Sequence, residues 1–263
     1  MADGLLWAYC VTRANDELRG ELVGVADAPV DLIEADGLAA LVGRVPASEF
    51  SAQPLRRNLN DLPWLERVAR AHEAVLEGAM AVATIVPLRI CTLYEREDGV
   101  RRMLAEERNV LTGALDVLAG RQEWGVKLLV DHERLVEAAH RRTGRAGDDL
   151  VGRGEGAAYL MRRRVEREVR DATHAVATDV ARQVHARFQS WARAAVTLPA
   201  QNRELSDYEG EMLLNAAYLV EDDRVAALPT LASELEVRHD PLGARIELTG
   251  PWPPYNFVPG GEA

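Results

Sequence analysis

Cysteine is nearly absent from this chain of 263 residues, as are lysine and any long apolar run. Only Cys10 and Cys91 occur, both inside apolar segments, which excludes a secreted disulfide scaffold. No segment approaches the ~20 uninterrupted apolar residues of a membrane span. The opening Met1-Ala2-Asp3-Gly4 lacks the basic region of a signal peptide. No membrane partner and a cytoplasmic location are therefore expected. Positive charge is outnumbered, 31 Lys and Arg against 42 Asp and Glu, for a net charge of −11. Such a chain is ill suited to neutralising phosphates, so nucleic acid is not an expected partner. Every basic residue but Lys127 is arginine, a bias that carries no mechanism.

Apolar residues are plentiful at 48% and regularly spaced, which rules out general disorder. The length accommodates one large or two ordinary domains with a real core. Leu5-Leu6-Trp7-Ala8-Tyr9-Cys10-Val11 reads as a buried strand, with further strands expected over 22–26 and 31–35. Asp36-Gly37 between apolar runs predicts a hairpin into Leu38-Ala39-Ala40-Leu41-Val42. Residues 46–60, with Pro46 and Pro54, read as a loop. A helix begins near Asn60-Asp61 with Pro63 in its first turn; Leu65, Val68, Ala69, His72, Leu76, Ala79 and Ala83 share one face. Residues 84–92 read as a strand, with Pro87 pointing to an edge or an irregular position. A second helix from about Gly99 turns Val100, Met103, Leu104, Leu111, Leu115 and Leu118 inward and ends at Gly120.

Beyond Gly120 the expected order is strand (124–130), short helix (to about His140), polar loop (143–154) and a long helix (155–195). At ~1.5 Å per residue that helix would extend about 60 Å, so it bends, breaks or offers part of its stripe to a partner. Strands over 196–200 and 212–220 follow, then a helix over 224–238 that begins or kinks at Pro229, and a last strand over 242–248. This is the β-α-β-β-α-β order of ferredoxin-like folds. The predicted class is α+β with two domains. Residues 1–120 form an N-terminal mixed α+β domain. Residues 121–263 form a C-terminal ferredoxin-like domain with the long helix and an extended tail rich in aromatics and proline.

Site chemistry is sparse. Gly152-Arg153-Gly154-Glu155-Gly156 lacks the spacing of a phosphate or dinucleotide loop and reads as a flexible helix entry. The six histidines show no zinc spacing, so no metal is expected, and His72 on its apolar face reads as a hydrogen-bonded core residue. Cys10 and Cys91 suit buried inert thiols, and no nucleophile elbow is present. An enzyme would have to bring dispersed groups such as His72, Glu107 and Arg89 into one concave site; Glu107 is expected on or near the inward face of its helix. No enzymatic activity is expected. The stiff, aromatic tail reads as a strand extension that closes a core, or as a docking element for another chain.

Several motifs resemble one known family. His72-Glu73-Ala74-Val75-Leu76-Glu77 is followed by Thr84-Ile85-Val86-Pro87-Leu88-Arg89. Further along come Glu123-Trp124-Gly125-Val126-Lys127, Ala158-Tyr159-Leu160-Met161-Arg162-Arg163 and Leu214-Asn215-Ala216-Ala217-Tyr218-Leu219-Val220. The most specific is Leu248-Thr249-Gly250-Pro251-Trp252-Pro253-Pro254-Tyr255-Asn256-Phe257. In this order, over nearly the whole chain, they resemble the gas vesicle protein F/L family (GvpF/GvpL). The chain departs from it at Ile90-Cys91, where the family often carries Phe-Gly.

The resemblance implies a two-domain α+β protein with a ferredoxin-like C-terminal half, located with gas vesicles in the cytoplasm. It implies a non-enzymatic assembly factor or minor structural component without cofactors. The implied partners are the hydrophobic main shell protein (GvpA-like) and other accessory proteins, with a role in nucleating the shell or preventing premature aggregation. The residues it singles out, as interaction or structural positions, are His72, Pro87, Leu88, Arg89, Trp124, Gly125, Tyr159, Gly250, Pro251, Trp252, Pro253 and Tyr255. The alternative is a small-molecule-sensing module, since ferredoxin-like folds often host regulatory sites.

Overall fold

The apolar run at the start of the chain forms β1 (Gly4–Arg13), a strand buried along almost all its length at the centre of a sheet. Burial on both faces explains why its sequence shows no alternation. In the computed structural model, residues 4–14, 22–143, 155–199 and 210–258 are described. The chain divides into two compact units, Met1–Gln122 with Trp252–Ala263, and Glu123–Pro251. The tail from Trp252 onward thus groups with the first unit, whereas the sequence reading attached it to the C-terminal domain.

In the first unit β2 (Val30–Ala35) and β3 (Leu38–Pro46) form the hairpin announced by Asp36-Gly37. Both turn residues have positive φ, 52° and 82°, as a two-residue turn matching strand twist requires. The strand order is β2-β3-β1-β4, with the two-residue strands β4 (Val86–Pro87) and β5 (Leu93–Tyr94) both paired to β1.

Three local expectations fail here. Residues 22–26 are not a strand, because Val25–Asp27 closes a 3-10 turn after a single bridge between Val23 and Pro29. Residues 46–60 are not a loop but the short helices α1 (Ala47–Phe50) and α2 (Ala52–Asn58). Pro54 sits in the first turn of α2, where an amide N–H has no helical partner anyway. The predicted strand over 84–92 breaks into β4 and β5 around Cys91, whose φ is +66°.

The helix predicted from residue 60 is α3 (Leu62–Met80), and the Asp61 carboxylate caps it by accepting the Trp64 N–H at 3.3 Å. The next helix divides at Glu107 into α4 (Glu97–Glu106) and α5 (Arg108–Leu118). Gly120, at φ +68°, ends this run.

The second unit contains β6 (Arg121–Val130), α6 (His132–Thr143), α7 (Glu155–Gln189), β7 (Ala194–Thr197) and β8 (Glu211–Glu221). The short α8 (Asp222–Val225), α9 (Leu228–Arg238) and β9 (Arg245–Trp252) complete it. Its sheet runs β7-β8-β6-β9, the order expected when a β-α-β-β-α-β chain closes with its first and third strands central. Pro229 lies in the first turn of α9, so the helix begins there rather than kinking. The long helix ends at Gln189, six residues before the predicted end, and at ~1.5 Å per residue its 35 residues extend about 52 Å. Val180, Val184 and Phe188 are buried in the core of this unit, whereas Val165, Val169 and Ala172 are half-buried. The Gly-rich stretch 152–154 lies outside the described residues.

Candidate functional site

Alternation along β1 puts Trp7 and Tyr9 on the same face, toward α3. The 3.6-residue period of α3 brings Trp64, Val68, His72, Val75, Leu76 and Ala79 to meet them. Phe50 closes the group edge-on to Trp7, with ring centroids 5.6 Å apart and planes at 84°.

His72 is 1% exposed at the centre of this cluster. Its Nδ1 accepts the Trp7 indole N–H at 2.9 Å, and its Nε2 lies 3.1 Å from the Tyr255 hydroxyl. An indole nitrogen only donates, so the hydrogen-bond network assigns the ring proton to Nε2. Burial pulls the His72 pKa down to about 4, against a smaller opposing effect of a hydrogen bond with the Leu88 backbone. The imidazole is therefore neutral near pH 7. With both nitrogens engaged inside the core, it is a connector between β1, α3 and the tail.

Tyr9 extends the network. Its hydroxyl accepts the Val25 N–H at 2.8 Å, its carbonyl accepts the Leu88 N–H at 2.8 Å, and burial raises its pKa to about 12. Cys10 is opposite Pro87 in the β1–β4 ladder, and burial pushes its thiol far up. Tyr255 packs against the same core, with Pro253 and Pro254 buried just before it. Its hydroxyl is likewise pushed up, first by burial and then by the nearby Glu73 carboxylate.

Four of the residues singled out from the sequence thus meet around β1 and α3: His72, Pro87, Leu88 and Tyr255. Pro253 belongs to the same buried tail. Arg89 is exposed just beyond, where its carbonyl accepts the Thr92 hydroxyl at 2.7 Å. Trp124 and Gly125 belong to β6 in the other unit, where Trp124 packs against the second core. Gly250, at φ +133°, and Pro251 are exposed near the end of β9, and Trp252 is 47% exposed. Tyr159 is on α7, with its side chain outside the described residues. Glu107 is exposed at the break between α4 and α5, not turned inward. His72, Glu107 and Arg89 therefore do not form the concave site that catalysis would need.

Sequence reading missed Trp7 as the partner of His72. The available signal was a donor-only ring in a fully apolar strand together with an imidazole on an apolar face, each needing a partner.

Cys91 occupies a left-handed conformation that costs a residue with a Cβ about 1–2 kcal/mol. Cys91→Gly is expected to raise stability by about 1 kcal/mol, after allowing for the extra chain entropy of glycine when unfolded. Urea denaturation measures it; an unchanged or lower midpoint would contradict the strain at this position.

In the second unit an open cleft of about 490 Å³ lies between α7 and the start of β8, lined by residues including His174, Arg182, His185, Thr197 and Glu211. Two of its polar groups are already engaged. His185 Nδ1 is 2.7 Å from the Tyr218 hydroxyl, and Glu211 is 2.8 Å from His132 Nδ1. Among the described residues no group of three or more His, Cys, Asp or Glu could hold a metal ion.

Two antiparallel sheets with their helices define a protein of mixed α+β class, in which the His72 cluster holds the chain's own tail by packing and hydrogen bonds. The chain belongs to the gas vesicle synthesis protein GvpL/GvpF family, which it matches over residues 5–259. Gas vesicle protein L of Streptomyces sp. (strain CB03234) is 36% identical over 262 residues, covering 97% of this chain and 93% of that protein. Gas vesicle protein L1 of Halobacterium salinarum is 26% identical, covering 96% of this chain and 90% of its own length. The crystal structure of the gas vesicle protein GvpF from Anabaena sp. PCC7120 superposes with a TM-score of 0.71. It shares 20% identity and covers 97% of this chain and 96% of that one, a likeness of fold. Family membership gives the protein a gas vesicle-related role. No helix among the described residues is long and apolar enough to cross a membrane.

Proposed function

We propose that this protein is a non-enzymatic gas vesicle assembly factor or minor structural component. In this reading it binds the hydrophobic main shell protein and other accessory proteins. It helps to nucleate the shell, or covers shell subunits until they are incorporated. The observation that carries the reading is the family match over residues 5–259.

Surface properties support it. An apolar subunit needs a partner that offers apolar area and stays soluble while doing so. On α5, Val110 and Val117 are 50% and 45% exposed, and the Gly113 position between them faces open space. These positions share one helix face, and a glycine there permits close approach of another backbone. The net charge of −11 opposes self-association of such a surface.

Co-expression with the main shell protein followed by affinity capture tests this. Stoichiometric co-purification is the expected result, and recovery of the chain alone would sink the reading. The small-molecule alternative has less support, because His185 and Glu211 in the second-unit cleft are already engaged by Tyr218 and His132.

A further inference from the structure

The chain leaves the first unit at Gln122, runs through the second as far as Pro251, and returns to the first with the tail from Trp252 onward. The tail is thus joined to the rest of the first unit only by way of the second, and its own contacts hold it in place. Both halves of that contact are on view. Pro253 and Pro254 are buried, Tyr255 packs against the core that contains Trp7, Val75 and Leu76, and its hydroxyl lies 3.1 Å from His72 Nε2. His72 is fixed in turn by the Trp7 indole N–H at 2.9 Å, so β1 and α3 build the seat and the tail fills it. Main-chain bonds from the Tyr255 N–H to the Pro253 carbonyl at 2.7 Å, and from the Phe257 N–H to the Pro254 carbonyl at 3.2 Å, close within the tail. Its local shape therefore travels with it.

A seat that fits this chain's own tail fits the tail of a second copy by the same contacts. Exchange of the segment between copies conserves those contacts and costs mainly the entropy of association. The sequence around the tail lowers the remaining costs. Gly250, Pro251 and Trp252 are exposed, so the turn leading into the tail is not anchored in a core. Gly250, at φ +133°, uses backbone space that favours glycine, and the same residue accepts the extended path an exchanged arm needs. Pro251, Pro253 and Pro254 restrict the released segment, so less chain entropy is lost when it docks again. Residues 248–258 carry no charged side chain, so the net charge of −11 per copy is not concentrated at the seam.

We propose that the tail from Trp252 to Val258 is an exchangeable arm, and that two copies of this chain pair by each seating Tyr255 against His72 of the other copy. Pairing of this kind is independent of whether the protein binds the shell subunit.

Complementation between two variants of the full chain tests it. His72→Ala damages the seat and leaves the tail native; Tyr255→Ala damages the tail and leaves the seat native. Neither variant alone forms an undamaged tail contact, within one copy or between two. Refolded together they do, because the tail of the first seats in the second. The doubly altered contact that remains costs less than the two single losses added, since the same hydrogen bond is lost only once. The mixture is expected to run as a one-to-one dimer by size exclusion with light scattering, and to unfold roughly 5 °C above either variant alone. Two monomers that unfold as they do separately would overturn the proposal.

A second measurement needs neither variant. Unlabelled and isotope-labelled copies of the chain, each with a photo-crosslinking group in place of the Phe257 side chain, are refolded together at high concentration. The dimer fraction is expected to give crosslinks of mixed isotope that join the tail of one copy to β1 or α3 of the other. Absence of a dimer, or a dimer whose tail crosslinks stay within single copies, would overturn the proposal.

Discussion

Acidification from pH 6.5 to 4 is expected to remove on the order of 3 kcal/mol from the stability of the first unit through His72 alone. The figure follows from a pKa lowered from 6.5 to about 4, at ~1.4 kcal/mol per unit. The sign is set by proton uptake. Between the two values the unfolded chain binds the proton and the folded chain does not, so stability is complete above pH 6.5 and falls as pH drops toward 4. The groups facing the imidazole, Trp7, Tyr9 and Tyr255, stay uncharged over this range and supply no compensating anion. Glu73, the next residue on α3, has its carboxyl held above the usual range by burial and by Glu77, which opposes the effect at the acid end. His239 in the second unit is lowered by burial and by Arg238, and adds to the loss of stability there. Urea denaturation across this range measures the slope. His72→Gln is expected to be less stable at pH 7 but flatter from 6.5 to 4. An equally steep profile, or an NMR titration of His72 near 6.5, would contradict the buried neutral imidazole.

Gly24→Ala is expected to cost about 3 kcal/mol, although it adds one methyl group. A Cβ at Gly24 would lie 2.0 Å from the Tyr9 hydroxyl oxygen and 2.6 Å from the ring carbon that bears it. On its other side the same oxygen lies close to Gly43, where a Cβ would stand 2.9 Å from it. Moving the ring would also orphan the Val25 N–H, which that hydroxyl accepts at 2.8 Å. For a chain of this size the loss corresponds to a Tm lower by roughly 6–12 °C. Added to Tyr9→Phe, the same substitution should cost clearly less than it does alone, because one of the two clashing atoms is gone. Additive losses would show that the clash is not with Tyr9.

These effects centre on contacts that the sequence exposes only in part. Asp36-Gly37 is legible because a two-residue hairpin needs positive φ at both positions, and few residue pairs supply it. Asp61 and Pro63 mark the start of α3, and Pro229 the start of α9, because a first turn has no use for its own N–H groups. The same rule explains why residues 46–60 read as a loop: proline suggests a break, yet Pro54 occupies a first turn. The strand expected over 84–92 fails for a reason that composition hides, the left-handed backbone at Cys91. Order along the second unit was legible from alternating helix and strand periods; the end of α7, six residues early, was not.

The central cluster was half legible. His72 announced itself as a polar residue on an apolar face, and Tyr255 as part of the aromatic tail. Trp7 and Tyr255 are 65 and 183 residues from His72, and no local period relates positions so far apart. Packing alone joins them. Val110 and Val117 of α5, both exposed, fall outside the inward stripe that the helical period shows, but no local pattern marks them as a surface for a partner.

The assembly role is tested most directly by diluting the main shell protein out of denaturant and following light scattering, with and without equimolar chain. The account predicts that scattering is suppressed or delayed in proportion to the chain present. Scattering that rises at the same rate and to the same extent in its presence would contradict the claim that this protein covers shell subunits.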